Sequence, residues 1–136
     1  KTPFREIEMP YGRQTLWPNH CVQGTAGAEF HKRLNVDRAD AIIRKGMNPS
    51  IDSYSTFFEN DRKTPTGLLG FLRERDVTSL LLVGLATDFC VAFSALDAVE
   101  NGFDVKIRMD ACRGIDNAGS MEAAIVDLRK AGVKFV

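Results

Sequence analysis

The chain has 136 residues, of which 44% are hydrophobic and 26% are charged, which is enough apolar material for one hydrophobic core and too little chain for two ordinary domains. Eighteen lysines and arginines balance eighteen aspartates and glutamates, so the chain lacks the positive charge typical of proteins that bind nucleic acid or anionic membranes. The longest apolar run, residues 80–86, is far shorter than the roughly 18 residues of a membrane span. We therefore expect neither a nucleic acid nor a membrane as partner.

The three cysteines, Cys21, Cys90 and Cys112, are odd in number and widely spaced, and none belongs to a Cys-x-x-Cys pair. This usage is typical neither of a disulfide-rich secreted domain nor of a structural zinc site. We therefore predict free thiols and a reducing, cytoplasmic compartment. The oligomeric state does not follow from the composition.

The first 38 residues are rich in proline and glycine and show no sustained apolar period of 2 or 3.6, which predicts an irregular segment. The chain starts with Lys1 rather than methionine, and regular elements become dense only after Ala39. A structureless stretch of this length is rare inside a compact domain. We expect that N-terminal strands of the fold are absent from this chain and that segment 1–38 packs over that part. The alternative is a loop-rich but complete N-terminus.

Strands and helices alternate in the predicted structure from residue 39 onwards. A partly β-branched run before Gly46 and a nearly unbroken apolar run at 80–86 are typical of buried strands, the second one covered on both faces. Apolar residues at helical spacing mark the helices, and the alternation at 103–109 indicates a strand near a sheet edge. In order, the predicted elements are strand 41–45, helix 66–75, strand 80–86, helix 90–101, strand 103–109, a helix from 120 that ends at Gly132, and strand 133–136.

This order predicts a single α/β domain over 1–136, with a parallel sheet and helices on both of its faces. Its parts are the irregular segment 1–38 and the alternating elements of 39–136. In such sheets the loops after the strands converge on one crevice, and helix N-termini point their free N–H groups into it. The reactive side chains of this chain should therefore lie at the carboxyl ends of its strands.

Cys90 is placed where segment 84–90 leads from the most buried predicted strand into the next helix. A thiol in the first turn of a helix is favoured as the reactive thiolate, particularly beside a cation. Lys45 ends another predicted strand and would supply that cation, because a buried ammonium is costly unless it has a partner. The alternatives are that Cys90 is a small buried apolar residue and that Lys45 points into solvent.

His20 is the third candidate and follows Trp17, Pro18 and Asn19. A tight metal site needs three or four ligands, and this chain contains only two histidines, so no metal site follows from its residues alone. Carboxylate and imidazole ligands from outside the chain could complete a site with open positions for water or substrate. Trp17 could equally be a core aromatic residue.

Four segments of the chain resemble, in the right order, the bacterial nicotinamidase/pyrazinamidase family within the isochorismatase-like cysteine hydrolases. They are 17–22 (WPNHCV), 45–49 (KGMNP), 52–55 (DSYS) and 84–91 (GLATDFCV). The resemblance spans essentially the whole chain and implies the C-terminal portion of such an enzyme, with a Rossmann-like parallel sheet. Enzymes of this family hydrolyse nicotinamide to nicotinate and ammonia, and the resemblance extends this expectation to pyrazinamide.

By this resemblance, Cys90 is the nucleophile and Lys45 is the lysine of an Asp, Lys and Cys triad whose aspartate is not in this chain. His20 matches one ligand of a single divalent metal, which is zinc, iron or manganese, and the companion ligands also lie outside the chain. Trp17 matches an aromatic residue that stacks on the pyridine ring of the substrate. Tyr54 matches a residue that lines the pocket.

The resemblance also implies a cis peptide between Leu85 and Ala86, which border the substrate. This peptide directs the N–H groups of Ala86 and Cys90 towards one point, as an oxyanion hole. Two alternatives stay open: a metal-free relative that cleaves another small amide or an enol ether, and a non-catalytic α/β binding module. A metal-free relative should lack a histidine at this position, so His20 favours the metal-dependent amidase.

Overall fold

The structure of the protein is a computed structural model that describes residues 2–136. The chain consists of two compact units, one that ends at Ile42 and one formed by Ile43–Val136. The boundary lies close to the predicted change from irregular to regular structure, and the single domain stays a prediction. No helix of the described residues is long and apolar enough to cross a membrane.

The N-terminal unit contains a β-hairpin that the sequence pattern does not predict. Strands β1 (Glu6–Met9) and β2 (Gly12–Thr15) pair antiparallel, and Met9 lies opposite Gly12. Two short 3-10 turns, Ala26–Ala28 and Val36–Arg38, follow the hairpin. Strands of four residues are too short to show a clear period, which is why the prediction of a wholly irregular segment 1–38 is wrong.

The C-terminal unit alternates helices and strands in the predicted order. Its elements are α1 (Leu68–Arg73), β3 (Ser79–Leu85), a π-helical turn (Thr87–Val91), α2 (Ala92–Glu100), β4 (Asp104–Arg113), α3 (Ser120–Lys130) and β5 (Lys134–Phe135). Strands β3, β4 and β5 form a parallel sheet in that order. The predicted α/β class and its parallel sheet are confirmed.

Alternate residues of β4 point into the hydrophobic core. Val105 and Ile107 are 1% and 0% exposed, and they belong to one core cluster with Ala95 and Ala98 of α2 and Leu128 of α3. Burying a large aliphatic side chain of this kind contributes about 1.5–3 kcal/mol. This packing holds α2 against the sheet and thereby fixes the turn that precedes α2.

The opposite face of β3 is exposed within residues 2–136. Leu81, Val83 and Leu85 are 55%, 55% and 72% exposed, whereas Leu80 and Leu82 pack against the hydrophobic core. The unbroken apolar run predicts a strand that is covered on both faces. In the described part of the chain only one of these faces is covered.

One predicted strand agrees with the structure and another does not. Strand β4 lies between β3 and the last strand β5, and its polar residues Lys106 and Arg108 are exposed, as predicted for a strand near a sheet edge with one polar face. Residues 41–45 do not form a strand, and Ile42 is 50% exposed. A short apolar run becomes a strand only where another strand pairs with it, and the described residues offer 41–45 no such partner.

Candidate active site

Cys90 lies in the turn formed by residues 86–91, which joins β3 to α2 and is called the Cys90 turn below. The peptide bond between Leu85 and Ala86 is cis, as the resemblance implies. The carbonyl of Ala86 accepts hydrogen bonds from the N–H groups of Phe89 and Val91, at 3.2 and 3.0 Å. Cys90 is half-buried in this π-helical turn, which leads directly into α2, so it lies beside the first turn of that helix, within the prediction of a place in or beside it. Short π-helical turns occur frequently at functional sites.

The structure brings Lys45 and Cys90 together. Lys45 Nζ lies 3.6 Å from Cys90 Sγ and donates a hydrogen bond of 2.6 Å to the carbonyl oxygen of Ser53. Both side chains are half-buried, so water screens their interaction less than on an open surface. A cation at this distance stabilises the negative charge of a thiolate. The cation is therefore where the sequence predicts it, although 41–45 is not a strand.

Ser94 connects the loop at residues 52–60 to the Cys90 turn. It lies on α2 and is 3% exposed. Its hydroxyl accepts the N–H of Thr56 at 2.9 Å and donates to the carbonyl of Cys90 at 2.5 Å. The buried hydroxyl of Ser94 thus connects Cys90, the predicted nucleophile, to the 52–60 loop. In the same loop, the carbonyl of Ser53 accepts the hydrogen bond from Lys45. The sequence pattern does not predict this role of Ser94, because a serine in a helix carries no distinctive signal.

Tyr54, which the resemblance places in the pocket, lies in an aromatic cluster beside the Cys90 turn. Its ring packs edge-on against Phe89 and Phe93, with ring centroids 5.6 and 5.1 Å apart. Phe93 is still 39% exposed. Edge-on packing fixes the orientation of the Tyr54 ring, so the cluster forms a rigid apolar wall suited to a flat aromatic molecule.

Asp88 is a buried carboxylate of the Cys90 turn that the sequence analysis did not single out. It is 4% exposed and accepts hydrogen bonds from the N–H groups of Ile115 and Asp116, at 2.9 and 2.8 Å, and from the hydroxyl of Ser120 at 2.5 Å. Burial raises the pKa of Asp88, but these hydrogen bonds outweigh burial, so the pKa lies below its ordinary value. The carboxylate is therefore ionised at neutral pH.

Trp17 and His20 lie in the N-terminal unit. The ring of Trp17 packs edge-on against Phe4, with centroids 5.9 Å apart. His20 is exposed, and its Nδ1 lies 2.7 Å from the carbonyl oxygen of Pro18. A carbonyl can only accept, so this contact places a proton on Nδ1 and leaves Nε2 as the ring nitrogen that could bind a metal.

The geometry of His20 fits a metal ligand, but the described donor set is incomplete. Histidines that bind metals usually donate their other ring N–H to a carbonyl or carboxylate, as His20 does to Pro18. Within residues 2–136, no group of three or more His, Cys, Asp or Glu side chains is arranged to hold a metal ion. His20 is thus suited to be one ligand among several, with the others supplied from outside the described residues.

The isochorismatase domain model matches residues 5–136 of this chain. The nicotinamidase of Acinetobacter baylyi is 50% identical over 136 residues, which are 100% of this chain and 64% of that protein. A solved nicotinamidase/pyrazinamidase structure from Acinetobacter baumanii superimposes with a TM-score of 0.97 at 53% identity, covering 100% of this chain and 66% of that one. The pyrazinamidase of Pyrococcus horikoshii in complex with zinc gives a TM-score of 0.74 at 37% identity, over 90% of this chain and 63% of that one.

The similarity covers the whole of this chain but only part of each relative. The chain spans 64% of the length of the Acinetobacter baylyi protein. Because the domain model covers all but the first four residues, the chain belongs to the isochorismatase family.

Proposed function

We propose that the protein containing this chain is a metal-dependent amidohydrolase that converts nicotinamide to nicotinate and ammonia, and that also accepts pyrazinamide. The observation that carries this proposal is the distance of 3.6 Å between Lys45 Nζ and Cys90 Sγ. A half-buried thiol beside an ammonium has the surroundings of a nucleophilic cysteine. A cysteine that only fills space in a hydrophobic core does not require a neighbouring cation. The names of the similar nicotinamidases support the choice of substrate.

Cys90 attacks the carboxamide in this proposal. Its thiolate adds to the amide carbon, and the carbonyl electron pair moves to oxygen. When this intermediate collapses, the C–N bond breaks, the nitrogen takes up a proton and leaves as ammonia, and an acyl thioester remains on Cys90. Water then adds to the thioester, the C–S bond breaks, and nicotinate, the free thiolate and two protons are released, one of which replaces the proton that left with ammonia. Covalent catalysis thereby replaces one difficult step by two easier ones.

Lys45 and two backbone groups stabilise the charges of this reaction. The ammonium of Lys45 lies beside the sulfur and stabilises the negative charge of the attacking thiolate, and Ser53 keeps the ammonium in place. The N–H groups of Ala86 and Cys90 are proposed to donate to the developing oxyanion. Removing one donor of this kind costs about 3 kcal/mol of activation free energy.

Three side chains and one metal are proposed to orient the substrate. Trp17 stacks on the pyridine ring, while Tyr54 and Leu85 border the pocket. His20 would contribute one ligand to a divalent metal ion. Zinc, iron and manganese are the candidates, and the zinc complex of the Pyrococcus horikoshii relative supports zinc. When bound, such an ion supplies a Lewis-acidic site that orients the ring nitrogen or a water molecule.

The test of this function is ammonia release by the complete protein, purified with its metal, from nicotinamide, pyrazinamide and an unrelated small amide such as isobutyramide. We expect hydrolysis of the first two substrates. Hydrolysis of isobutyramide alone would identify a metal-free relative with another specificity. A protein that hydrolyses none of the three would be a binding module, and the proposal would be wrong.

His20→Ala is expected to lower the metal content of the complete protein and to raise KM for nicotinamide by about tenfold or more, because loss of a metal ligand or its support typically costs 10–100-fold. His31→Ala is the matched control, since His31 is the other histidine of the chain and is exposed. Metal content is measured by inductively coupled plasma mass spectrometry. An unchanged metal stoichiometry in His20→Ala would remove His20 from the ligand set.

A further inference from the structure

The carboxylate of Asp88 joins the Cys90 turn to the start of α3. Its two oxygens receive three hydrogen bonds, and all three donors lie within residues 115–120, two near the start of the β4–α3 loop and one on the first residue of α3. The anion therefore also lies at the positive N-terminal end of a helix of 11 residues. These partners are 27 to 32 residues away along the chain, so the contact links two separate segments.

The surroundings of Asp88 leave little room for another arrangement. Gly114 approaches so closely that a Cβ at this position would lie 3.2 Å from Asp88 Oδ1 and 2.2 Å from Met121 Sδ. The residue is 4% exposed, so these three protein donors, rather than bulk water, solvate its charge. The interaction between Asp88 and the 115–120 segment is thus both buried and geometrically specific.

Asp88 lies two residues before Cys90, within the same π-helical turn. This turn carries the proposed nucleophile and both backbone N–H groups of the proposed oxyanion hole. Its two ends are fixed by β3 and α2, and its middle is fixed by Asp88. A displacement of about 1 Å in a reacting group can lower a rate by about 100-fold. Loss of the contact that fixes the middle of the turn could therefore slow the reaction by displacing Cys90.

We propose that Asp88 is a positioning residue of the nicotinamidase reaction, which holds Cys90 and the N–H groups of Ala86 and Cys90 in their reactive arrangement through its bonds to residues 115–120. This inference rests on the proposed function. Asp88 does not contact the substrate in this proposal. It acts through the backbone of the turn, and its ionised state suits it to accept three hydrogen bonds without donating any.

The decisive variant is Asp88→Asn in the complete protein, because asparagine has the same size but turns an NH2 group towards backbone N–H donors. We expect kcat per reactive Cys90 thiol to fall about 10- to 100-fold, with KM for nicotinamide within about threefold of wild type. Reactive Cys90 is counted by mass spectrometry as the iodoacetamide labelling that saturating nicotinamide prevents, because the thiol of an unfolded molecule is labelled with or without substrate. Ser120→Ala removes one of the three hydrogen bonds and is expected to lower kcat by about threefold. This variant tests the same proposal if Asp88→Asn does not fold.

A second readout separates positioning from mere stability. Pyridine-3-carboxaldehyde can accept the Cys90 thiol at its carbonyl carbon, forming a thiohemiacetal whose oxygen occupies the proposed oxyanion hole. We expect Asp88→Asn to bind this aldehyde about 10-fold more weakly or worse, in parallel with kcat, while its affinity for nicotinate changes by less than about threefold. Nicotinate does not need the reactive arrangement of the turn.

Asp97→Asn is the matched control. Asp97 is also 4% exposed, but it is on α2 and pairs with Arg62 at 3.2 Å, away from the Cys90 turn. It should lower the melting temperature and leave kcat per reactive thiol unchanged. If Asp88→Asn behaves in the same way as Asp97→Asn, Asp88 is only structural and the inference is overturned. A wild-type protein without nicotinamidase activity would instead overturn the proposed function, and this inference with it.

Discussion

Cys90→Ser is expected to reduce nicotinamide hydrolysis by about 10⁴-fold or more, because removal of the nucleophile leaves only the contribution of binding and of the oxyanion hole. The hydroxyl of serine is a far weaker nucleophile than a thiolate beside an ammonium. Metal content and nicotinate affinity should stay close to wild type. Cys112→Ala is the matched control, since Cys112 is a free cysteine buried in the core, 4% exposed, and should keep nearly full activity.

Chemical modification gives an independent measurement of the same assignment. One equivalent of iodoacetamide on Cys90 should abolish activity, and saturating nicotinamide should protect the thiol. Cys21 is a free and exposed cysteine, so its labelling, followed in the same mass spectrum, reports on general reagent access. Retention of the wild-type rate by enzyme that is fully alkylated at Cys90 would exclude Cys90 as nucleophile.

Lys45→Met should lower kcat by about 100-fold or more, since losing one preorganised charge in an active site typically costs 10²–10³ in rate. Methionine preserves the length of the side chain but removes the cation 3.6 Å from the sulfur. The rate of Cys90 alkylation at pH 7 should fall as well, because the attacking thiolate loses the neighbouring cation that stabilises its charge. This second measurement does not depend on the identity of the substrate.

Two further variants sharpen the Lys45 experiment. Lys63→Met removes an exposed lysine of the neighbouring loop and should leave both rates within about twofold. Lys45→Arg should not restore the activity, because a planar guanidinium cannot replace a compact ammonium held by the Ser53 carbonyl. If Lys45→Met alkylates and hydrolyses at wild-type rates, the ammonium has no part in activating the sulfur.

Local patterns were sufficient to locate the helices and most strands of the C-terminal unit. The apolar run of β3, the spacing of apolar residues in α2 and α3, and Gly102 and Gly132 just beyond these two helices are all features that neighbouring residues determine among themselves. The sequence pattern does not predict the hairpin β1–β2, because its strands are only four residues long and show no clear period. The apolar run at 41–45 wrongly predicts a strand. A strand forms only where another strand pairs with it, and the local sequence pattern does not show whether such a strand is present.

The candidate site shows the same division between local and distant information. Cys90 could be predicted because its own turn follows a strand and precedes a helix, and Lys45 because its charge ends an apolar run. Tyr54 is predicted only by the resemblance of short motifs, which also gives His20 its predicted role as a metal ligand. Asp88 and Ser94 were not found, since their roles depend on partners 27–38 residues away, at the start of α3 and in the 52–60 loop.

By itself, the sequence determined the alternating α/β pattern, the free thiols and the identity of the candidate nucleophile and its cation. Only the tertiary structure decided that β4 is the central strand of the three, that the Ser53 carbonyl and Cys90 hold the Lys45 ammonium between them, and that Asp88 is tied to α3. The physical reason is that periodicity and turn signals act between neighbours along the chain. Sheet order and buried hydrogen bonds instead depend on which distant segments meet when the core forms.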